Sequence, residues 1–129
     1  MEIKGKCVVP GKAIGESIVS LEPISFLGDI DPFTGEIVAK TNPLKGKSIA
    51  GKIFVFPSGK GSTVGSYIIY QLCKNGKAPI AIVNEEAEAI VAVGAIISDI
   101  PMIHKIDIRK IPNGKKLKIN ASKGIIKYN

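Results

Sequence analysis

The chain has 129 residues, 45% of them apolar and 22% charged, which is enough apolar sequence for one hydrophobic core and too much for a disordered segment. No apolar run approaches the ~20 residues that span a bilayer, and residues 1–6 lack the apolar stretch of a signal peptide. A cytoplasmic chain forming one domain over residues 1–129, with no membrane partner, is expected.

Two cysteines, Cys7 and Cys73, and one histidine, His104, cannot by themselves build a typical four-ligand zinc or iron–sulfur site. Any metal chemistry therefore belongs to another chain, and no metal is expected on this one. The thiols are expected to be buried and unpaired. The net charge of +7 suggests an anionic partner. The cluster Lys115-Lys116-Leu117-Lys118 alternates like a solvated strand face and lacks interleaved aromatics, so no nucleic-acid partner is expected.

Taken in order, residues 2–9 read as a first strand closed by Pro10-Gly11, and residues 17–21 as a second. Residues 26–37 are dense in turn formers. Asp31 before Pro32 can bond the backbone beyond the proline. Asp29 and Asp31 could form a catalytic carboxylate pair, but residues in such turns are more often structural. Residues 40–51 read as loop, and 52–56 as a strand.

A helix follows, with Val64, Ile68 and Leu72 on one stripe and Tyr67 beside them, ending at Gly76 as a left-handed cap. Residues 78–83 form an apolar run typical of a strand covered on both faces. Asn84 can cap a helix over 85–93, Gly94 begins a second short element, and 99–103 is another strand. Asn113-Gly114 turns the chain into two last strands around Gly124. The fold class is α/β, a parallel centre flanked by β elements from both termini.

The stretch Pro57-Ser58-Gly59-Lys60-Gly61-Ser62-Thr63-Val64-Gly65-Ser66 joins strand to helix. Unpaired N–H groups and a partial positive charge at a helix start attract anions. Lys60 adds a full charge, and Gly59 and Gly61 admit a ligand close to the backbone. The phosphate loop G-x-x-x-x-G-K-[ST] is not matched, because Lys60 sits two places before Ser62. The dinucleotide fingerprint G-x-G-x-x-G fails at Val64. These donors could stabilise an alkoxide on Ser62, or Ser62 could simply cap the helix, and the residues alone leave both open. His104, at the end of an apolar run, suits a structural role better than that of a base.

This stretch, the turn Gly28-Asp29-Ile30-Asp31-Pro32-Phe33-Thr34-Gly35 and the run Pro79-Ile80-Ala81-Ile82-Val83-Asn84 together resemble the aconitase X family, over essentially the whole chain. The likeness is to its archaeal small subunits in particular. It implies a single swivelling β/β/α domain, similar to the mobile domain of aconitases. It also implies a one-to-one heterodimer with a large subunit that holds a 4Fe-4S cluster.

The implied reaction is dehydration of mevalonate 5-phosphate to trans-anhydromevalonate 5-phosphate in the archaeal mevalonate route to isoprenoids. By the same resemblance Ser62 would accept the carbon-bound proton, with the cluster iron as Lewis acid for the departing hydroxyl. The loop's geometry would give Gly61 and Thr63 substrate-binding N–H groups and Lys60 charge compensation. The alternatives are a related dehydratase acting on hydroxyproline or another hydroxy acid, a non-catalytic anion-binding module, and a phosphohistidine carrier using His104.

Overall fold

In the central strands, alternate residues face opposite sides, and both sides are apolar. The computed structural model describes residues 1–129. Its strands are β1 (Glu2–Lys4), β2 (Lys6–Val9), β3 (Lys12–Val19), β4 (Ile53–Phe56), β5 (Ala81–Asn84), β6 (Met102–His104), β7 (Lys116–Asn120) and β8 (Ile125–Lys127). Helices α2 (Gly65–Lys74) and α3 (Ala89–Ile97) connect the parallel strands. A distorted turn, α1 (Phe26–Asp29), is broken by non-helical backbone at Leu27 and Gly28.

One sheet runs in the order β1-β8-β7-β3-β4-β5-β6-β2. From β3 through β6 the pairing is parallel, as crossover connections require. The other pairs, β1 with β8, β8 with β7, β7 with β3 and β6 with β2, are antiparallel. Strand β3 serves both halves, since Lys12–Glu16 pair with β7 and Ser17–Val19 with β4.

Phe54, Phe56, Ile82 and Met102 pack with Ile68, Ile69, Leu72, Val91 and Ala95 of the helices. Ile53, Val55, Ala81, Val83 and Ile103 point the other way, against Ile3, Leu117, Ile119 and Ile126. The outer strands thus fold over the central ones, making three layers: β, β and α. Phe26 meets Phe54 and Phe56 edge-on, at centroid distances of 6.1 and 5.9 Å. Each such pair adds ~0.5–1.5 kcal/mol beyond its burial.

The expected order of strands, helices and parallel centre is present, but with differences. The first is that the strand read at 17–21 runs Lys12–Val19, because its first half pairs with the distant β7. Residues 2–9 are two strands on opposite edges of the sheet. The chain crosses between them at Gly5, where a Cβ would collide with the His104 carbonyl oxygen. The buried face of α2 is Gly65, Ile68, Ile69 and Leu72. Val64, which is the N-cap, and Tyr67 are exposed, and Gly65 and Ile69 complete the buried face in their place.

Residue 94 does not start a new element, because Gly94 lies within α3 and forms a notch for α2. A Cβ there would come 2.6 Å from Ile69 Cδ1. Asn84 is not a cap but the buried end of β5, and Glu88 caps α3 by accepting from the N–H groups of Ile90 and Val91. Finally, Cys7 and Cys73 are unpaired but exposed, since both sit on outward-facing positions of their elements.

Candidate active site

The loop 57–66 leaves the C-terminal end of β4, the edge of a parallel sheet where open α/β folds place their ligands. Its root is tied to β5. The N–H groups of Glu85 and Glu86 both donate to the Pro57 carbonyl, at 2.9 and 3.2 Å. The Asn84 side-chain amide donates to the Phe56 carbonyl at 2.9 Å.

Further along, the loop rests on the segment before α1. Ile24 N–H donates to Ser58 O, and Lys60 N–H donates to Ile24 O, at 3.1 and 2.9 Å. Gly61 has φ +87°, and a Cβ on it would lie 2.6 Å from Ser25 Oγ. A Cβ on Gly59 would strike Val91 Cγ2 at 2.5 Å and Glu88 Oε1 at 2.8 Å. Two glycines are therefore required here for different reasons, backbone conformation at one and close approach at the other.

Ser62 is half-buried. Its Oγ accepts from Val64 N–H at 3.0 Å, while its carbonyl accepts from Gly65 N–H at 3.1 Å. Ser62 is not the N-cap of α2; that position is Val64, which makes no side-chain cap bond. The backbone N–H groups of Gly61, Ser62 and Thr63 donate to no group of the chain. A loop of free donors ending at a helix start is an anion cradle. Lys60 is exposed and makes no ion pair, so its charge is free to face an incoming anion.

The other residues considered from the sequence are structural. Asp29 Oδ2 accepts from Ser25 N–H, and Asp31 Oδ1 accepts from Phe33 N–H beyond the proline, both at 2.8 Å. His104 Nδ1 accepts from Ala87 N–H at 3.1 Å, fixing the turn before α3. This engagement leaves no support for a carrier role. Nowhere do three His, Cys, Asp or Glu side chains converge as a metal site would need.

Sequence reasoning missed Ser25, Asn84 and Glu88, which shape the loop from other segments. Only Asn84 carried a signal, as a polar residue ending an apolar run.

A family model for the aconitase X swivel domain matches residues 2–128. The chain belongs to the aconitase X swivel family. Among its relatives is the phosphomevalonate dehydratase small subunit of Thermococcus kodakarensis. It is 57% identical over 124 residues, covering 96% of this chain and 93% of that one. The corresponding small subunit of Methanosarcina acetivorans is 53% identical over 129 residues, covering 98% and 90%.

The crystal structure of aconitase X from Thermococcus kodakaraensis in its holo-form superposes with a TM-score of 0.98. That match is at 54% identity and covers 100% of this chain and 98% of that one. The three β/β/α layers described above are thus those of an aconitase X swivel domain, and the glycine–serine loop lies at their parallel-strand edge.

Proposed function

We propose that this chain is the small subunit of a phosphomevalonate dehydratase, working as one swivelling domain in a cytoplasmic one-to-one complex with a large subunit. The substrate is mevalonate 5-phosphate and the product trans-anhydromevalonate 5-phosphate. The names and near full-length identity of the relatives support this reading.

The observation that carries the chemistry is the environment of Ser62. A backbone N–H donates to its Oγ, and neighbouring N–H groups remain free. Donors aimed at an oxygen favour its anionic form. As an alkoxide, Ser62 takes the carbon-bound proton. The electron pair left behind forms the carbon–carbon double bond as the hydroxyl departs from the adjacent carbon. The free N–H groups of Gly61 and Thr63, with the Lys60 ammonium, hold the substrate's negative charge.

An iron–sulfur cluster does not fit this chain. Its two cysteines sit apart, on β2 and α2, and no three ligands converge. The cluster, and the reception of the leaving hydroxyl, are assigned to the large subunit.

The test is Ser62→Ala in the reconstituted complex, assayed on mevalonate 5-phosphate with hydroxyproline as comparison. Turnover on the phosphorylated substrate should vanish while the subunits still assemble. A near-normal rate would remove Ser62 from the chemistry, and preference for hydroxyproline would reassign the substrate.

A further inference from the structure

The turn at residues 28–35 supplies no reacting group, yet its first acid reaches the glycine–serine loop through one intermediary. Gly28 has φ +101°, and nothing lies within 4 Å of the place a Cβ would take, so glycine serves backbone conformation there. The bend doubles the chain back, and Asp29 closes on Ser25 twice. The Ser25 N–H donates to Asp29 Oδ2 at 2.8 Å, and the Asp29 N–H donates to the Ser25 carbonyl at 3.0 Å. The Ser25 hydroxyl is engaged within the same turn, donating to the Leu27 carbonyl at 2.8 Å. Backbone and side chain of Ser25 are both fixed.

Ser25 is what the loop leans on at Gly61. Apart from chain neighbours, the only atoms within 4 Å of the place a Gly61 Cβ would take are Ser25 Oγ and Cβ, at 2.6 and 3.2 Å. Ile24 bridges Gly59 in parallel, so residues 24–25 run beside the loop up to this contact. Gly61, at φ +87°, immediately precedes Ser62. The two share a planar peptide unit, so a change in the Gly61 backbone turns the Ser62 N–H and carries Ser62 Oγ with it.

We infer that Asp29 is a positioning residue for Ser62, acting through Ser25 and Gly61. The inference rests on the reading of Ser62 as the proton acceptor. Asp29 holds Ser25, Ser25 backs the left-handed bend at Gly61, and the bend sets where Ser62 Oγ and the free N–H groups of residues 61–63 point. Released from Ser25, a residue without a side chain has other backbone conformations open to it. The geometry that proton transfer needs is then populated less. The neighbouring acid does a different job. Asp31 Oδ1 accepts from Phe33 N–H, also at 2.8 Å, and the Asp31 backbone bonds Gly35 and Glu36, none of them loop residues. The two carboxylates therefore form a matched comparison.

Asp29→Ala and Asp31→Ala each remove one bond from a carboxylate to a backbone N–H, so their unfolding midpoints should fall alike. In the reconstituted complex, Asp29→Ala should lower kcat on mevalonate 5-phosphate by about tenfold or more, whereas Asp31→Ala should keep it. Asp29→Asn retains an oxygen for the Ser25 N–H and should recover most of the rate. Ser25→Ala leaves both Asp29 bonds in place, because they go to the Ser25 backbone, and it serves should Asp29→Ala fail to fold. It should lower kcat as well. Ser25→Ala combined with Asp29→Ala should be little slower than the slower single variant, since both act through one contact.

Equal kcat in the Asp29→Ala and Asp31→Ala complexes, or a normal kcat for Ser25→Ala, would overturn the inference. Placement can also be read without chemistry, from the amide resonances of Gly61, Ser62 and Thr63 in the isolated chain. They should shift in Asp29→Ala and stay in Asp31→Ala. Shifted resonances beside an active Ser62→Ala complex would remove the base and support the positioning. Unshifted resonances beside an inactive Ser62→Ala complex would remove the positioning and leave the base.

Discussion

The side-chain amide of Asn84, at the end of β5, donates to the carbonyl oxygen of Phe56, the last residue of β4 before the glycine–serine loop. Both residues are fully buried. The bond fixes where the loop departs. Asn84→Leu leaves the Phe56 carbonyl without this donor and should cost about 1 kcal/mol. Asn84→Asp sets a carboxylate against that carbonyl in the core and should cost about 3 kcal/mol or more. Urea unfolding of the two variants gives the order, and an aspartate variant more stable than the leucine one would contradict it.

Gly61 needs its positive φ and also its missing Cβ, because Ser25 Oγ occupies the space. Gly51 shares the first need only, with φ +70° and no atom within 4 Å of the place a Cβ would take. Left-handed backbone at a non-glycine residue costs roughly 1–2 kcal/mol. Gly51→Ala should show that strain alone. Gly61→Ala should be less stable than Gly51→Ala and, in the complex, should lower kcat, since its displacement is passed to Ser62. Equal stability of the two variants would mean that the Ser25 contact yields freely.

Helices α2 and α3 approach through Gly94. A Cβ there meets Ile69 Cδ1 at 2.6 Å and Ser66 Cα at 3.1 Å. Gly94→Ala should destabilise by about 1–3 kcal/mol through overpacking. Ile69→Val removes the Cδ1 that is struck, so the double variant should lose less than the sum of the singles. Thermal unfolding of the four-member cycle measures the coupling, and simple additivity would place the strain elsewhere.

Lys105 hydrogen-bonds Glu86 and holds its carboxyl below the ordinary value of 4.5, against a smaller opposing effect of desolvation, with the charges of Lys105 and His104 adding to the depression. A depressed folded pKa means that this pair contributes stability above pH 4.5, lost as pH falls through the lowered value. Glu86→Gln should therefore forfeit that small contribution at neutrality, match the unaltered chain well below the lowered value, and so flatten the fall of stability in between. The carboxylate is at the surface, so salt should erase much of the difference. Unfolding curves across pH at two salt concentrations check both statements.

Much of this was legible in the sequence because it is local. The runs at 52–56 and 78–83 announced strands, the second covered on both faces, and β4 and β5 lie within or beside them with every residue buried. The glycine cap at Gly76, with φ +69°, followed from turn chemistry. Asp31 bonding past Pro32 needed only neighbouring residues. The glycine–serine loop stood out as an anion cradle within ten residues of chain, and the full-length motif pattern pointed to the family.

The tertiary structure decided what depends on distant segments. Nothing near Gly5 in sequence shows that β1 and β2 separate to opposite sheet edges, because the cause is His104 and Ile106 crowding that residue from far along the chain. The rotation of α2 that exposes Val64 and Tyr67 is set by packing on α3, not by its own periodicity. The loop's supports, Ser25, Asn84 and Glu88, come from three other segments, so no local pattern could have assembled them. Period and turn chemistry are properties of a few adjacent residues, and the sequence determines them alone. Which residues meet across the core is a property of the whole packing, and only the folded chain determines that.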